Sequence, residues 1–247
     1  MLLPEFLNLG KSFKKYFEIV PALSETLRNE AYRVRYQVYC KELRYESIQR
    51  PDQLEIDEYD SHALHLLIRD IQTNEFIGCT RIICAQSGNS AHTLPFERIC
   101  AKSLDRSIVD PTRLPRHSIA EVSRLAVIAR YRRRRGDSDK PINISEEDYG
   151  TLDRPRFPYI PIGLYIGTIE LARLNGIEHI FMLTESRLSS HFNKLGADIR
   201  IIGDPVEFHG QRVPSVLNIN QVIKDMRLIF RPLYQMIAID VKRHISE

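Results

Sequence analysis

The segment from Pro161 to Leu174 constrains the fold most strongly, because a helix over these residues is apolar on nearly every side. Pro161 suits a first helical turn, and Asn175 with Gly176 suits the end of the helix. A helix without a polar face has to be covered all round, so it belongs in a core. The apolar run from Ile177 to Leu183 predicts a buried strand directly after it. Helix and strand together predict an α/β core.

A second helical pattern lies near the start of the chain. Ser24 suits an N-cap, and a helix of about 20 residues follows it, with apolar residues at helical spacing that form one buried stripe. The residues of this stripe are Leu27, Ala31, Val34 and Val38. The neighbouring face of the same helix carries Tyr32, Arg35 and Tyr39.

Strand and turn patterns account for much of the remaining chain. His62 to Asp70 and Phe76 to Ala85 predict a hairpin with a polar turn, and Ser118 to Ile128 predicts another strand. The later elements are a short helix ending at Gly196, two strands around the turn at His209 and Gly210, and an amphipathic helix from about Gln221 to His244.

Length and composition indicate one domain. The chain has 247 residues, of which 43% are hydrophobic and 27% charged, and this is typical of a chain that folds around one sizeable core. The stretch from Asp137 to Pro158 contains acidic residues and prolines without periodicity, so we interpret it as an inserted surface loop. We therefore expect residues 1–247 to form a single domain, with this loop and the C-terminal helix as additions.

Net charge and targeting patterns limit where the protein acts. The formal charge of +3 is too small to indicate bulk binding to nucleic acid. The four cysteines form no CxxC pair, which favours reduced thiols. Met1 to Val20 shows no signal-peptide pattern, and no uncharged apolar run approaches the ~20 residues that a bilayer requires. We expect a cytoplasmic protein that is not integral to a membrane.

The predicted C-terminal helix offers an apolar face. It could pack on its own domain, on a second subunit or on a membrane surface, so peripheral membrane contact stays open. The residues of this face are Leu228, Ile229, Leu233, Met236 and Ile237.

Four short segments carry charged and aromatic residues in a distinctive order. They are Arg35-x-x-x-Tyr39 with Tyr45-Glu46, Asp57-Glu-Tyr-Asp60, Gly78-Cys-Thr-Arg81 and Glu121-Val-Ser-Arg124-Leu-Ala-Val127. Together they resemble the acyl-homoserine-lactone synthase and N-acyl amino acid synthase branch of the GNAT superfamily. That branch shows an arginine and an aromatic on the first helix, an aspartate pair, an arginine on a strand, and a glutamate three residues before an arginine.

Later segments narrow this resemblance. Pro161 to Arg173, Asn193-Lys-Leu-Gly196 and Ile202 to Pro214 are similar to bacterial acyltransferases associated with the PEP-CTERM/exosortase system. The resemblance then spans nearly the whole chain. It implies a GNAT-like α/β fold, in which helices flank a mixed, mostly antiparallel sheet with a splayed or bulged central strand, and it implies no tightly bound cofactor.

Glu121 is the predicted catalytic residue. Amide formation from a thioester needs a neutral amine, a route for the amine proton, and donors that face the developing oxyanion. On an internal strand beside Ile119 and Leu125, Glu121 would be desolvated, which raises the pKa of its carboxyl towards that of a useful base. We predict that it accepts the amine proton directly or through water. The alternative is a structural ion pair with Arg81 or Arg35.

The spacing of Glu121 and Arg124 predicts an irregular strand. A separation of three residues places two side chains on opposite faces of a regular strand. A bulge, which is typical of GNAT enzymes at this strand, would reconcile them and free backbone N–H groups for the acyl carbonyl. Arg124 is then expected to bind an acceptor carboxylate or the pantetheine region of the donor, with a salt bridge to the adjacent helix as the alternative.

The resemblance also implies that four charged residues meet. Arg35, Asp57, Asp60 and Arg81 would fix the first helix and its following loop over the acceptor site through charge-assisted hydrogen bonds. Tyr39 and Tyr45 are assigned to the same substrate-binding or organising group. The alternative is a set of surface salt bridges that contribute little.

An arginine run directly follows the central strand, where GNAT enzymes usually place a glycine-rich phosphate loop. Arginines suit a phosphopantetheine arm and the acidic surface of an acyl carrier protein, so we predict that carrier protein rather than coenzyme A is the donor. An exposed face, or nonspecific attraction to nucleic acid, is the alternative. The residues assigned to the donor are Val127, Arg130, Arg132, Arg133, Arg134 and Arg135.

These features predict an N-acyltransferase that moves a fatty acyl group from an acyl-carrier-protein or acyl-CoA thioester to an amino acid or similar small amine. One alternative is an acyl-homoserine-lactone (autoinducer) synthase that uses S-adenosylmethionine. Another is a non-catalytic module that docks an acidic partner through the arginine run. His62 and His65 lack further ligands, so we expect no metal site.

Overall fold

The computed structural model describes residues 9–45, 50–86, 93–132, 141–142, 157–194 and 196–246. The first half contains α1 (Leu9–Tyr16), β1 (Phe17–Pro21), α2 (Glu25–Arg35), β2 (Ala63–Asp70), β3 (Glu75–Cys84), α3 (Pro95–Ile99) and β4 (Ile119–Val127). The second half contains α4 (Tyr159–Leu174), β5 (His179–Thr184), α5 (Ser186–Lys194), β6 (Arg200–Ile201), β7 (Val206–Glu207), β8 (Gln211–Asn218), α6 (Ile219–Asp225) and α7 (Arg231–Ser246).

One mixed sheet organises these elements. Its strands lie in the order β1-β2-β3-β4-β5-β8-β6, and β7 pairs with β8. Among the described strands, β4 and β5 are parallel and every other neighbouring pair is antiparallel. The predicted fold class, a mixed and mostly antiparallel sheet flanked by helices, is therefore confirmed.

Helix α4 packs on one face of the sheet, against β1, β2 and β3. Its burial on nearly every side confirms the prediction from its apolar sequence. Close packing depends on Gly167, where a Cβ atom would lie 2.7 Å from a methyl of Leu66 and 2.8 Å from one of Ile19. A larger side chain at this position would push the helix away from the sheet.

The first long helix is extended by an irregular turn. Ser24 caps α2 as predicted, since its hydroxyl accepts a hydrogen bond from the amide of Leu27 at 3.2 Å. The apolar stripe packs against the opposite face of the sheet from α4, where Val34 and Val38 meet Leu67. Beyond α2 the chain continues as a π-helical segment, Tyr36–Glu42, which the sequence pattern did not predict. Such segments occur frequently at functional sites.

The single C-terminal helix predicted from Gln221 to His244 is wrong. The chain forms α6 and α7 instead, separated by a break that contains a short 3-10 turn, Leu228–Phe230. Pro232 explains the break, because proline removes a helical hydrogen bond and clashes with the preceding turn. The proposed apolar face is divided: Leu233 and Ile237 are buried in the core, whereas Leu228 is 80% exposed. Peripheral membrane contact stays a prediction.

The central strand carries the predicted bulge. Cys79 pairs with Ala126 and Arg81 with Ser123, so that two residues of β4, Arg124 and Leu125, lie opposite the single residue between the β3 partners. Arg124 adopts the left-handed conformation, with φ of 55°. Pairing between β4 and β5 ends at Val122 and Met182. The two strands separate beyond this point, and their separation opens a cleft.

Several other predictions concern the chain as a whole. In the described ranges no helix is long and apolar enough to cross a membrane. All four cysteines are free, as predicted. The proposed inserted loop, residues 137–158, lies mostly outside the described residues. Helix α1 and strand β1 were not predicted from the N-terminal sequence.

Candidate active site

A cleft of about 400 Å³ passes through the sheet where β4 and β5 separate. Tyr39, which packs on the α2 face, lines one end of the cleft, and Tyr165, which packs on the α4 face, lines the other. The two ends differ in chemistry. The polar end includes Tyr45, Asp57, Tyr59, Arg81, Glu121, Arg124 and His209. The apolar end includes Ile169, Ile180, Met182, Leu188, Phe192, Ile199 and Leu217.

Glu121 lines this cleft and is 4% exposed. One carboxylate oxygen accepts a hydrogen bond from the backbone amide of Phe96 at 2.8 Å. Among the described residues, no arginine or lysine forms an ion pair with Glu121, so the alternative of a structural pair with Arg35 or Arg81 is not supported. Burial raises the pKa of Glu121 to about 8, despite the Phe96 amide and the more distant positive charge of Arg81. A carboxyl with this pKa can act as a base near neutral pH.

The four charged residues predicted to meet do so. Arg35 binds Asp60 through two hydrogen bonds of 2.6 and 3.0 Å. Arg81 contacts Asp60 at 2.9 Å and Asp57 at 2.6 Å, and its Nε donates to the hydroxyl of Ser123 at 3.1 Å. The side chains of Arg35, Asp60 and Arg81 are at most 2% exposed, whereas that of Asp57 is 27% exposed. They are buried ion pairs rather than surface salt bridges.

Glu55 completes this ionic cluster, and sequence reasoning missed it. Its carboxylate accepts hydrogen bonds from Arg35 and, at 2.8 Å, from Arg124. The cluster therefore contains three arginines and three carboxylates. Burial opposes ionisation of Glu55, but Arg35 and Arg124 outweigh it and lower its pKa to about 2. The acidic run from Glu55 to Asp60, which we call the acidic loop, was the available signal.

Arg124 holds the acidic loop on the bulge. Its guanidinium reaches Glu55 and, at 3.4 Å, Asp57, and it does not bond the adjacent helix as the sequence alternative had it. It also lies over the ring of Tyr39, 5.4 Å from the ring centroid. The hydroxyl of Tyr39 donates to the carbonyl of Leu125 at 3.4 Å. The bulge, the π-helical segment and the loop thus meet at one side chain.

Two aromatic rings from distant parts of the sequence meet at the polar end. Tyr45 follows the π-helical segment and stacks on His209, with ring centroids 5.0 Å apart and an angle of 13° between the planes. His209 has φ of 50° in the β7–β8 turn, so it is a turn residue as expected. It also lines the cleft, which turn chemistry alone did not predict.

Of the residues assigned to the donor, the structure describes Val127, Arg130 and Arg132, and among these three only the side chain of Arg130 is exposed. The amide of Val127 donates to the carbonyl of Pro141 at 2.9 Å, and Arg130 pairs with Glu75 on the surface. Arg132 corrects the expectation of an exposed run: its side chain is 5% exposed, because it pairs with Glu42 at 2.7 Å and donates to the carbonyl of Val127. Arg133, Arg134 and Arg135 lie outside the described residues.

No cluster of metal-binding side chains occurs among the described residues. The sequence favoured a structural role for His65. Its side chain is buried, and its Nε2 atom lies 3.6 Å from an oxygen of the Asp60 carboxylate. Burial and the neighbouring Arg35 lower its pKa to about 4, so the ring is neutral.

A comparison with protein families matches part of the chain. Residues 34–138 match the model of a family described as an Acetyltransferase (GNAT) domain. A comparison with curated protein sequences found no match. The matched residues are less than half of the chain, and together with the mixed sheet they show a GNAT-like α/β fold.

Solved structures support the fold assignment. The chain is similar to TofI in a ternary complex with an inhibitor and MTA, at 17% identity over 84% of this chain and 95% of that chain, with a TM-score of 0.58. It is similar to BjaI, a CoA-dependent acyl-homoserine lactone synthase solved with SAM and isopentyl-CoA, at 18% identity over 93% and 89%, with a TM-score of 0.55. It is also similar to FeeM, an N-acyl amino acid synthase from uncultured soil microbes, at 13% identity over 86% and 96%, with a TM-score of 0.54.

We expect Glu121→Gln to keep the fold and to lower acyl-transfer turnover by roughly 10²-fold or more, because an amide cannot accept the amine proton. In the wild type, kcat/KM should rise with pH and level off above about pH 8, where Glu121 is ionised. Steady-state kinetics across pH measure both effects. Near-normal turnover of the variant at saturating substrate would remove Glu121 from the base role.

The same pKa shift predicts an effect on stability. Folded Glu121 keeps its proton at pH values where the unfolded chain has lost it, so the wild type should lose stability as pH rises from the ordinary carboxyl pKa through about 8. Glu121→Gln should remove this loss. Urea unfolding at several pH values gives the free energy of unfolding as a function of pH. The same dependence on pH in the wild type and in Glu121→Gln would contradict the prediction.

Glu55→Gln should destabilise the fold by about 3–5 kcal/mol, because it leaves buried Arg35 and partly buried Arg124 short of a negative partner. Glu58→Gln is the matched control: it makes the same chemical change in the same loop, but Glu58 is exposed and pairs only with exposed Arg98 among the described residues. That change should cost less than about 1 kcal/mol. Equal free energies of unfolding for the two variants would show that the cluster does not hold the loop.

Proposed function

We propose that the protein transfers a fatty acyl group from a thioester, carried by acyl carrier protein or coenzyme A, to the amine of an amino acid or a similar small amine. The observation that carries this proposal is the placement of Glu121, a buried carboxyl with a pKa of about 8, in a cleft with one polar and one apolar end. The polar end suits a small charged acceptor. The apolar end suits the hydrocarbon chain of the donor.

The chemistry follows from this arrangement. The acceptor nitrogen attacks the thioester carbonyl carbon, the carbon–sulfur bond breaks, and the sulfur takes up a proton and leaves as a thiol. Glu121 accepts the proton that the amine loses, directly or through water, and can then deliver it to the departing sulfur. Beyond Val122, β4 has no β5 partner on its cleft side, and donors along this separated strand are the proposed stabilisers of the oxyanion.

The ionic cluster is assigned a positioning role. Its three arginines already have carboxylate partners, so they are poorly placed to bind a further anion without displacing one. Asp57, which lines the cleft and is the most exposed carboxylate of the cluster, is the member closest to a substrate role. With Tyr39, Tyr45 and Arg124, it would orient the acceptor amine towards Glu121.

Two further proposals concern the setting of the enzyme. The resemblance of the second half of the chain supports an association with the bacterial PEP-CTERM/exosortase system. Free cysteines and thioester donors, which are cytoplasmic metabolites, support a cytoplasmic location. A fractionation of the producing cells tests the location, and recovery outside the cytoplasm would contradict it.

An acyl-homoserine-lactone synthase remains a second candidate, because the similar BjaI structure is described with SAM and isopentyl-CoA. The two candidates share the fold and the base, and they differ in the acceptor. A non-catalytic module is disfavoured by a raised-pKa carboxyl that lines a cleft.

The deciding experiment supplies the purified protein with one acyl chain on both donors, together with a mixture of amino acids and, separately, S-adenosylmethionine. Mass spectrometry then identifies the product. An N-acyl amino acid supports the proposal, whereas a homoserine lactone supports the second candidate. If neither thioester is consumed in the presence of either acceptor, the acyltransferase proposal is wrong.

For the donor, we expect acyl carrier protein to give a higher kcat/KM than coenzyme A, and added salt to reduce the difference. Replacing Arg133 and Arg134 with glutamate should lower kcat/KM for the protein-borne donor and spare kcat, because steering affects capture more than chemistry. The control replaces Arg106 and Arg113, two arginines that do not line the cleft, with glutamate. It makes the same change in net charge and should leave the donor preference unchanged.

Equal use of the two donors, or use of the carrier protein that does not respond to salt, would show that the arginine run serves another purpose. Arg132 is left out of the variant because its side chain is buried against Glu42. Replacing it would disturb the end of β4 rather than a docking surface.

A further inference from the structure

Tyr165 separates the cleft from a second, smaller cavity. This cavity has a volume of about 10 Å³, and it lies between α4 and the segment that joins α6 to α7. Among the described residues that line either space, Tyr165 alone borders both. The other residues of the small cavity are Ile162, Ile166, Gly196, Val222, Met226 and Phe230. The ring of Tyr165 is therefore the wall between the two spaces.

Packing rather than hydrogen bonding holds this wall in place. The ring of Tyr165 stacks on Phe192, with centroids 4.6 Å apart and an angle of 26° between the planes. Its hydroxyl is buried and has no hydrogen-bond partner among the residues that the structure describes. A buried hydroxyl without a partner is unfavourable, so its presence here is not explained by stability. Exchange of the side chain would not break a polar network.

The region behind the wall can yield. Met226 and Phe230 flank the break between the two C-terminal helices, and methionine adapts easily to a changed cavity. The other apolar side chains of the small cavity, among them Ile166 and Val222, belong to the hydrophobic core. A chain that passed Tyr165 would therefore meet apolar surroundings.

We propose that Tyr165 closes the apolar end of the cleft and sets the longest acyl chain that the enzyme uses efficiently. This inference rests on the proposed function, because it assigns the apolar end to the acyl chain. Each methylene that finds apolar surroundings should raise kcat/KM about fourfold. The gain should end when the terminal methyl of the chain reaches the ring of Tyr165.

The first test is a profile of kcat/KM against the length of a saturated acyl donor. Tyr165→Ala should extend the rising part of the profile by several methylenes, because it frees the volume of the phenol ring and joins that volume to the small cavity. Tyr165→Leu keeps more apolar packing and should extend the profile less, so it serves if the alanine variant does not fold.

Two controls separate the wall from its surroundings. Tyr165→Phe keeps the ring and should leave the profile unchanged, while raising the melting temperature by removal of the unpartnered hydroxyl. Val222→Ala enlarges the small cavity behind the wall and should also leave the profile unchanged. An unaltered profile in both Tyr165→Ala and Tyr165→Leu, or an extended one in Val222→Ala, would overturn the proposal.

A binding measurement tests the same wall without turnover. The chain contains no tryptophan, so Tyr165→Trp places a single indole at the proposed end of the cleft. Saturated fatty acids of increasing length should shift its emission only from the length at which the terminal methyl reaches the ring. Emission that responds equally to short and long acids would overturn the assignment of Tyr165, whereas a length threshold without any acyl transfer by the wild type would support it and contradict the proposed function.

Discussion

The polar end of the cleft depends on the paired hydrogen bonds between Arg35 and Asp60. Both side chains are at most 2% exposed, and a buried charge that loses its partner is strongly destabilising. Because Asp60 also accepts a hydrogen bond from Arg81, this one carboxylate joins α2 to β3. Glu55 and Asp57 extend the contact to Arg124 on β4. A helix, a loop and two strands are therefore held by charges that cannot separate without leaving a partner unpaired.

The ion pairing within this cluster bears on the pKa of Glu121. Burial opposes ionisation of both Glu55 and Glu121, but two guanidiniums lower the pKa of Glu55 to about 2, whereas Glu121 receives one backbone N–H and its pKa rises to about 8. The charges of Arg81 and Arg124 lower the pKa of Glu121 from a distance, but burial outweighs them. Both arginines bond carboxylates of the cluster, and among the described residues neither forms an ion pair with Glu121. Carboxyls pushed apart in pKa by their surroundings are typical of acid–base sites.

Local patterns in the sequence predicted the parts that depend on local physics. The resemblance to GNAT enzymes, together with the spacing of Glu121 and Arg124, predicted the bulge, and the apolar run of α4 predicted a core helix. The parts that were missed depend on distant partners. Arg132 turns inward because of Glu42, 90 residues away in sequence, and Tyr45 meets His209 from the other half of the chain. The C-terminal break is a different case, because its cause, Pro232, lies in the local sequence.

Helix α4 connects the constraint on the fold to the chemistry of the cleft. Gly163 and Gly167, four residues apart, lie on one side of this helix and let it approach α1, β1 and β2. Tyr165 lies midway between them in sequence, which at 3.6 residues per turn places it on the opposite side, towards the cleft. A helix that is apolar all round can therefore pack tightly on one side and line the apolar end of the cleft with the other. The lack of a polar face, which identified α4 as a core helix, is also what makes one end of an otherwise charged cleft suitable for a hydrocarbon chain.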